Sequence, residues 1–540
     1  MDILYYLSVF ILGYLLPFAG ISKLFEKAGE TGWKAYVPIL NYLSWTKIVG
    51  RPSWHIIWLF IPIVNIFTLA AMAIELNRSF GKYGFWDNVL AIAAPFAWFP
   101  YLGFVKKDEL SYKGPAHQQR KEYKAAYKMA VKNKDQAAIR KLEKERPFPK
   151  KTFVREWADS ILFAVFAAHF IRLFLIEAYT IPTPSMEGSL LVGDFLFVSK
   201  LHYGSRLPMT PLSFPLLHNV MPITGGECYS KWPSWDYNRA PALQKVNRYD
   251  PVVFNYPEGD TIIKGVDYSS DYHNILKGTP RAQREATRQQ VLKRFKNRIV
   301  TRPVDKRDHY IKRCVGLPGD SIEVRANRLF VNGQEPDIIP GVQYRYELVP
   351  QDNKSINMSY VDDNYALSIP SGPGKASNFR NISPLVVEQM LQDPQLAPIL
   401  KEIRPVVGAP GYNQGIFPYN GELFPWNNHN YGPIWIPKKG ETVNLSMDNI
   451  DLYKRVITAY EGHDLLIRDG QIIIDGQTTN SYTFEMDYYW MMGDNRDDSA
   501  DSRSWGFVPE THVVGKPLFV WMSIGPNGIR FDRILKNAAQ

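Results

Sequence analysis

The 540-residue chain contains, near its C-terminus, the segment YWMMGDNRDDSADSRSWGFVP, residues 489–509. Charged and small residues are concentrated there between two aromatic flanks, a composition that rarely arises by chance. Two further segments stand out upstream. One reads IPTPSM (residues 181–186) directly after a hydrophobic run, and the other reads YIKRCVGLPGD (residues 310–320). These three segments are the first candidates for residues that carry chemistry.

In this order, the three segments resemble the signature boxes of bacterial type I signal peptidases, which are membrane-bound serine endopeptidases. The resemblance implies an enzyme that removes N-terminal signal peptides from exported preproteins, after small residues at positions −1 and −3, with a Ser-Lys dyad. It implies no cofactor and no metal. It also implies a mainly β catalytic domain outside the membrane, with a signal-peptidase-like β fold. The resemblance does not cover residues 1–105, whose function stays open.

The region after residue 178 has the sequence pattern of a β domain. Short β-branched or aromatic runs are bounded by Gly, Pro, Asn or Asp, which is typical of strands. Such runs lie at residues 194–200, 251–256, 310–315, 321–324, 328–331 and 517–524. A hairpin is predicted where Arg468-Asp469-Gly470 joins residues 465–467 to 471–474.

Large insertions are predicted in this β domain. Long polar segments lie at residues 202–246, 257–308 and 336–460, and the second of them contains a charged stretch, 281–297, that indicates a surface helix. Loops of this length usually form an accessory subdomain or a functional flap. We therefore predict a catalytic β core over 179–335 and 461–540, and an inserted accessory region over 336–460.

The hydrophobic segments are concentrated in the first third of the chain. Residues 3–22, 56–76, 89–105 and 157–178 each approach the roughly 20 residues that are needed to cross a bilayer. We predict about four N-terminal transmembrane helices, three in a membrane region over 1–105 and one anchor over 157–178. Pro95 and Pro100 leave a re-entrant segment open as the alternative for the third.

The linker over 106–156 is strongly basic. Residues 106–155 contain 16 Lys or Arg against 6 Asp or Glu, a net charge of +10 that equals the net charge of the whole chain. Basic flanks mark the cytoplasmic side, so Lys150, Lys151 and Arg155 predict a cytoplasmic start of the anchor and a periplasmic catalytic domain at the bacterial inner membrane. A basic run can also bind nucleic acid, but no nucleic-acid-binding module is recognisable. We expect contact with membrane lipid instead.

The two cysteines, Cys228 and Cys314, exclude a disulfide-dense scaffold and permit one bridge. Cys314 lies in the second signature segment and Cys228 in a Gly-rich loop, which favours free thiols.

Peptide cleavage by a serine enzyme requires a nucleophile and a base. Ser185 is the candidate nucleophile, because two prolines hold the preceding backbone extended where the chain leaves the membrane. In the strand 310–315, period-two alternation sets Lys312 on one face and Arg313 on the other. Only a lysine can serve as a base, since a guanidinium keeps its proton in proteins. The family resemblance assigns the general-base role to Lys312.

The resemblance also implies roles for other residues. Ser499 positions the lysine, and Asp501 with Arg503 forms a supporting ion pair in which Arg313 can take part. The oxyanion hole consists of the Ser185 backbone N–H and the Thr183 hydroxyl. The walls of the substrate pockets are Ile181, Met186, Leu190, Tyr310 and Ile311. One departure from the family pattern occurs at residues 187–190, where an altered turn is expected.

Three other interpretations of the sequence compete with this one. A Ser-His-Asp triad would use His309 or His202 as base. A non-catalytic binding or scaffold protein would carry a decayed site. A calcium loop fails because ligands at alternate positions of the last segment would include Arg496 and Ala500. The expected partners are signal peptides, membrane lipid and the secretion translocon, and not nucleic acid.

Overall fold

The computed structural model describes residues 15–60, 64–106, 108–150, 152–266, 271–352, 354–365 and 378–538. The chain divides into two compact units, a helical unit (Met1–Asp159) and a β-rich unit (Ser160–Gln540).

The described part of the helical unit consists of helices joined by short turns. The helices are α1 Leu16–Lys27, α2 Leu40–Val49, α3 Val64–Ser79, α4 Phe85–Ala93, α5 Pro95–Phe104, α6 Ala116–Lys132 and α7 Gln136–Lys144. Its apolar core includes the fully buried Leu24, Phe25 and Leu76. Helices α1 and α5 approach closely at Gly20, where an added Cβ would lie 2.1 Å from the Phe99 carbonyl carbon. A side chain there would push the two helices apart.

Within the described residues, one helix is long and apolar enough to cross a bilayer, α8 Phe153–Phe174 with 22 residues. The prediction of about four spans stays a prediction. Residues 3–14 of the first predicted span and residues 61–63 of the second lie outside the described residues. The third predicted span, 89–105, is interrupted at Ala94 between α4 and α5, because Pro95 cannot continue the hydrogen bonding of α4.

The predicted anchor over 157–178 extends too far at its C-terminal end. Helix α8 ends at Phe174, and Ile176–Thr180 forms strand β1 instead. Strand β1 pairs antiparallel with β2, Asp194–Ser199, from Ile176↔Ser199 to Thr180↔Phe195. Apolar residues occur both in membrane helices and in paired strands, so hydrophobicity does not fix the end of α8. The pairing of β1 with β2 fixes it instead.

The β-rich unit contains the following strands after β2: β3 Pro251–Asn255, β4 Thr261–Ile263, β5 Ile299–Thr301, β6 His309–Gly316, β7 Ser321–Arg325, β8 Arg328–Val331, β9 Tyr344–Pro350, β10 Phe379–Ile382, β11 Leu400–Pro405, β12 Tyr431–Trp435, β13 Thr442–Asn444, β14 Leu465–Arg468, β15 Gln471–Ile474, β16 Gln477–Thr478, β17 Ser481–Thr483, β18 Tyr488–Met492, β19 Val508–Pro509, β20 Val513–Gly525 and β21 Gly528–Ile529. The predicted strands and hairpin are confirmed, and this unit, which contains the predicted catalytic domain, is mainly β.

The main sheet has the strand order β1-β2-β20-β3-β6-β18-β19. Strand β6 lies between β3 and β18 and is antiparallel to both. Apolar residues pack on its two faces, Cys314 in one cluster and Ile311 against another. The alternation predicted for residues 310–315 therefore occurs, and it sets Lys312 and Arg313 on opposite faces of a central strand.

The helices of this unit are α9 Tyr272–Lys277, α10 Arg284–Arg294, α11 Met358–Tyr365, α12 Pro384–Gln392, α13 Ile450–Arg455 and α14 Ser502–Trp505. Helix α10 lies within the stretch 281–297 where a charged surface helix was predicted. Ten of its eleven residues are at least partly exposed and Val291 is buried.

The region 336–460, predicted as one accessory insertion, consists of two parts in the structure. Strands β9, β10 and β11 form a separate sheet that packs with α11 and α12 around its own small core, which includes Leu348, Val361 and Met390. Strand β12, in contrast, pairs with β7, and residues 450–457 pack in the largest core of the β-rich unit. We call the first part, residues 344–405, the accessory sheet.

Candidate active site

Ser185 lies in the connection between β1 and β2, in a short 3-10 turn formed by Pro184–Met186. The residue before this turn, Thr183, has extended backbone angles, as expected for a residue that precedes a proline. The backbone of Ile181 closes the connection through two hydrogen bonds, Ile181 N to Asp194 O and Gly193 N to Ile181 O, both 2.9 Å. Ser185 is 8% exposed. The turn therefore holds the serine in a defined, largely desolvated position.

The Lys312 side chain projects from β6 to Ser185. Its Nζ donates a hydrogen bond of 2.7 Å to Ser185 Oγ and one of 3.0 Å to the Ile311 carbonyl oxygen. Burial lowers the pKa of Lys312 to about 8, although the carboxylates of Asp501 and Asp494 act in the opposite direction. A larger fraction of Lys312 is thus neutral near neutral pH than for an exposed lysine. A neutral amine at this distance can accept the serine proton.

Thr183 and Ser185 lie side by side. Thr183 Oγ1 is 3.5 Å from Ser185 Oγ. The threonine side chain is exposed, so its hydroxyl can turn toward a substrate carbonyl next to the serine.

The last signature segment passes directly behind the nucleophile. A Cβ added at Gly493 would lie 2.5 Å from the Ser185 carbonyl oxygen and 2.2 Å from Ser499 Oγ. Asn495 donates from its backbone N to Ser185 O at 3.2 Å and from Nδ2 to Pro184 O at 3.1 Å. The glycine allows this close approach, and the asparagine fixes the backbone on either side of the nucleophile.

Ser499 lies close to Gly493, but the structure contains no hydrogen bond between Ser499 and Lys312. Its buried hydroxyl has no hydrogen-bond partner among the described residues. The role of Ser499 in positioning the lysine stays a prediction.

Two buried ion pairs support this segment. Asp501 pairs with Arg503 through contacts of 2.9 Å to Nε and 2.8 Å to Nη2, and it accepts the Gly493 N–H at 3.1 Å. Burial favours a neutral carboxyl, but the Arg503 guanidinium outweighs it and keeps the pKa of Asp501 below its usual value. The ionised Asp501 therefore anchors the segment at Gly493.

Arg313 does not join the Asp501 pair and binds Asp494 instead. Its Nε and Nη2 atoms each lie 2.7 Å from one Asp494 oxygen, and its Nη1 donates to Tyr249 O at 2.7 Å. Both members of the pair are buried, with side chains 3% and 0% exposed. The sequence motifs assign no role to Asp494. The available signal was an acid that directly follows Gly493, two residues after the end of β18, the strand next to β6.

The predicted pocket walls belong to two apolar clusters. Ile181, Met186 and Leu190 are buried in one cluster, and Ile311 packs against it. Tyr310 belongs to a second cluster, where its ring is stacked on Tyr256 with centroids 4.7 Å apart, and this ring lies 5.6 Å from Lys312 Nζ, on the same face of β6 as Lys312. The burial of the first three residues shows that they are also core residues.

Neither candidate histidine is hydrogen-bonded to Ser185 within the described part of the chain. His202 Nδ1 lies 2.7 Å from Ser199 Oγ. The His309 ring packs between Tyr179 and His218, with centroids at 4.8 and 4.3 Å. Lys312 is the basic side chain that contacts the serine. The two cysteines are buried free thiols.

The accessory sheet contacts the signature segment at Asn495, Asp497 and Asp498. Arg345 N donates to Asp497 Oδ2 at 2.7 Å, and Asn381 Nδ2 donates to Asp498 Oδ2 at 2.6 Å. Asn381 Nδ2 also donates to Asn495 Oδ1 at 2.9 Å. Protein groups therefore bind the acidic side chains of this segment, and these contacts explain the cluster of acids without a calcium ion. Arg345 and Asn381 belong to no motif, so the sequence alone does not identify them as partners of this segment.

Among the described residues, one group has ligand atoms close enough together to hold a metal ion, Glu461, His463 and Glu485. Both ring nitrogens of His463 face carboxylates, Asp475 at 2.6 Å and Glu485 at 3.2 Å. These hydrogen bonds account for the cluster, so we assign no metal to it.

Two protein families match the chain. The family described as "Signal peptidase, peptidase S26" matches residues 154–372 and 481–522, and a family of unknown function (DUF5684) matches residues 33–115. The first match includes Ser185 and Lys312, and the second lies within the helical unit.

Curated relatives named Signal peptidase I cover most of the chain. The protein of Buchnera aphidicola (subspecies Acyrthosiphon pisum) is 27% identical over 406 residues, which is 73% of this chain and 84% of the relative. That of Haemophilus influenzae is 26% identical over 69% of this chain and 73% of the relative. That of Pseudomonas aeruginosa is 22% identical over 74% and 81%. With these relatives and the peptidase S26 match around the Ser185 turn and β6, the chain belongs to the bacterial type I signal peptidases.

Proposed function

We propose that this chain cleaves signal peptides from exported preproteins at the membrane, with Ser185 as nucleophile and Lys312 as general base. The observation that carries the assignment is the 2.7 Å contact between Lys312 Nζ and Ser185 Oγ, with both side chains buried. A nucleophile and a base within hydrogen-bond reach are the arrangement that nucleophilic catalysis requires.

In the proposed reaction, neutral Lys312 accepts the proton of Ser185 Oγ while this oxygen attacks the scissile carbonyl carbon. The negative charge that develops on the substrate oxygen is stabilised by the Ser185 N–H and the Thr183 hydroxyl. The Lys312 ammonium then gives its proton to the leaving amine, and an ester of Ser185 remains. A water molecule, deprotonated by Lys312, hydrolyses this ester and restores the free serine.

The geometry around Ser185 supports a preference for small residues at positions −1 and −3 of the signal peptide. Ile181, Met186 and Leu190 are 3%, 1% and 1% exposed, so they form a packed apolar floor. A closely packed floor leaves room for shallow pockets only. We propose these residues, Ile311 and Tyr310 as the substrate contacts, since the Tyr310 ring lies only 5.6 Å from Lys312 Nζ.

We further propose that the enzyme is a multi-pass protein of the bacterial inner membrane with a periplasmic catalytic domain. Helix α8 has the length and composition of a membrane anchor. The basic residues before it support a cytoplasmic start. Strand β1 begins at Ile176, two residues after the end of α8, so the nucleophile is held near the membrane. Membrane lipid and the secretion translocon are the proposed further partners.

The purified full-length protein tests this function with a preprotein that carries alanine at −1 and −3. We expect one cut after the −1 alanine, identified by N-terminal sequencing of the product. A preprotein with leucine at −1 is the matched control and should remain uncut. Equal cleavage of both substrates would contradict the proposed specificity, and no cleavage of either would contradict the function.

The rate of cleavage should rise with pH. Because burial holds the pKa of Lys312 at about 8, the neutral base is the minor form at pH 7 and the major form at pH 9. Below this pKa, kcat/KM should therefore fall about tenfold for each pH unit, and above it the rate should level off. Measurement of kcat/KM between pH 6 and 10 gives the profile. A flat profile over this range would exclude a titrating lysine as the base.

A further inference from the structure

The helical unit contains a cavity of about 760 Å³ that the proposed peptidase reaction does not use. Residues from α3, α4, α6 and the start of α8 contribute to its wall, together with Tyr83 and the segment from Arg146 to Lys150. This volume is within the range of small-molecule binding sites.

The wall of the cavity is strongly basic. It contains seven Lys or Arg side chains against three Asp or Glu. One of these acids, Glu75, is already occupied by Arg51 Nη2 at 2.8 Å and by His117 Nδ1 at 2.9 Å. Among the described residues, four of the cations form no hydrogen bond and no ion pair within 4.0 Å: Arg78, which feels the charges of Glu75 and Asp159 from further away, Arg120, Lys121 and Lys124. The cavity therefore holds an excess of positive charge that attracts an anion.

Two buried polar atoms of the wall also lack partners within the described residues. They are Arg146 Nε, a donor, and Asn88 Oδ1, an acceptor. The Arg146 guanidinium lies over two aromatic rings, 5.4 Å from the centre of Tyr123 and 4.6 Å from that of Phe148. Buried polar atoms are rarely left unpaired. A ligand with anionic oxygens and a hydroxyl would satisfy both atoms.

The cavity includes residues of the first turns of α8, the proposed membrane anchor. Arg155, Glu156 and Asp159 contribute to the wall, and the nearby Phe153 and Trp157 are 74% and 58% exposed. Exposed aromatic residues at the start of a membrane helix are typical of the lipid headgroup level. If α8 is inserted as proposed, the cavity opens at the depth of lipid phosphates.

We propose that this cavity binds a phosphate ester that carries a free hydroxyl. This chemistry is shared by the headgroup of phosphatidylglycerol and by soluble glycerol 3-phosphate. The phosphate binds to the cations of α3 and α6, and the hydroxyl donates to Asn88. The site belongs to the helical unit, so it adds a ligand to a region whose family match gives no function.

Native mass spectrometry of the full-length protein in detergent tests the site with three probes. These are phosphatidylglycerol, phosphatidylcholine with the same acyl chains, and glycerol 3-phosphate. The test variant is Arg120→Gln with Lys124→Gln. The matched control is Lys128→Gln with Lys132→Gln, which removes the same charge from the same helix at positions outside the cavity. Glutamine is a good helix former, so α6 should fold in both variants.

We expect wild type and control to bind phosphatidylglycerol more tightly than phosphatidylcholine, and the test variant to lose roughly tenfold or more in affinity. If glycerol 3-phosphate binds with the same dependence on the variants and the lipid does not, the ligand is a soluble phosphate ester. Equal weakening in both variants, or no binding of either phosphate probe, would overturn the proposal. Cleavage of preproteins by the test variant should remain at the wild-type rate, which separates this site from the peptidase function.

Discussion

Replacing Lys312 with arginine should reduce preprotein cleavage by roughly 10²- to 10⁴-fold, the contribution of a general base. Arginine keeps the positive charge and a similar length, but its guanidinium does not lose its proton in proteins. Ser185→Ala should cause a loss at least as large. Because the two side chains act as a unit, the double variant should cleave the preprotein as fast as the less active of the two single variants. Rates of cleavage of one preprotein by the four proteins give the comparison.

Two control variants make this result specific. Lys438→Arg alters an exposed lysine and should leave the rate unchanged. His309→Ala should retain cleavage, since its ring contacts Tyr179 and His218 and not the serine. If Lys312→Arg remained active while His309→Ala lost activity, a histidine would be the base and the Ser-Lys assignment would be wrong.

Much of the β-rich unit could be predicted from sequence because its signals are local. In any β-strand, successive side chains point to opposite faces, so Lys312 and Arg313 lie on opposite faces of β6 independently of the rest of the fold. The turn at Arg468-Asp469-Gly470 specifies its hairpin through a positive φ at Asp469 and Gly470. The end of the anchor could not be predicted in this way, because strand pairing between β1 and β2 decides it and hydrophobicity does not.

The partners of the acidic side chains depend on contacts that are distant in sequence. Four aspartates lie within residues 494–501, and the chain path decides which arginine each can reach. Arg345 and Asn381 bind Asp497 and Asp498 from positions more than 100 residues away. No local pattern relates these residues. The same holds for Arg313, which lies 181 positions from Asp494.

The Arg313–Asp494 pair leads to the second large expected effect. Arg313→Met should lower the free energy of unfolding of the β-rich unit by about 3–5 kcal/mol, because it leaves the Asp494 carboxylate buried without its cation. Asp494 is 0% exposed and Arg313 is 2% exposed, so water cannot replace the lost contact. Thermal unfolding of the full-length protein in detergent gives the shift in melting temperature. The signal is the change in tryptophan fluorescence as buried tryptophan side chains become exposed.

Arg328→Met is the matched control, since it removes an arginine from an exposed ion pair with Glu335 on the same unit. Arg328 is 67% exposed, and exposed ion pairs contribute little to stability because water solvates both charges. A double variant, Arg313→Met with Asp494→Leu, removes both buried charges and should recover much of the lost stability. If the Arg313 and Arg328 variants melted at the same temperature, the buried pair would not hold the signature segment against β6. The segment would then be held in place by the Asp501–Arg503 pair and the accessory sheet. These contacts alone would have to keep Gly493 behind the nucleophile.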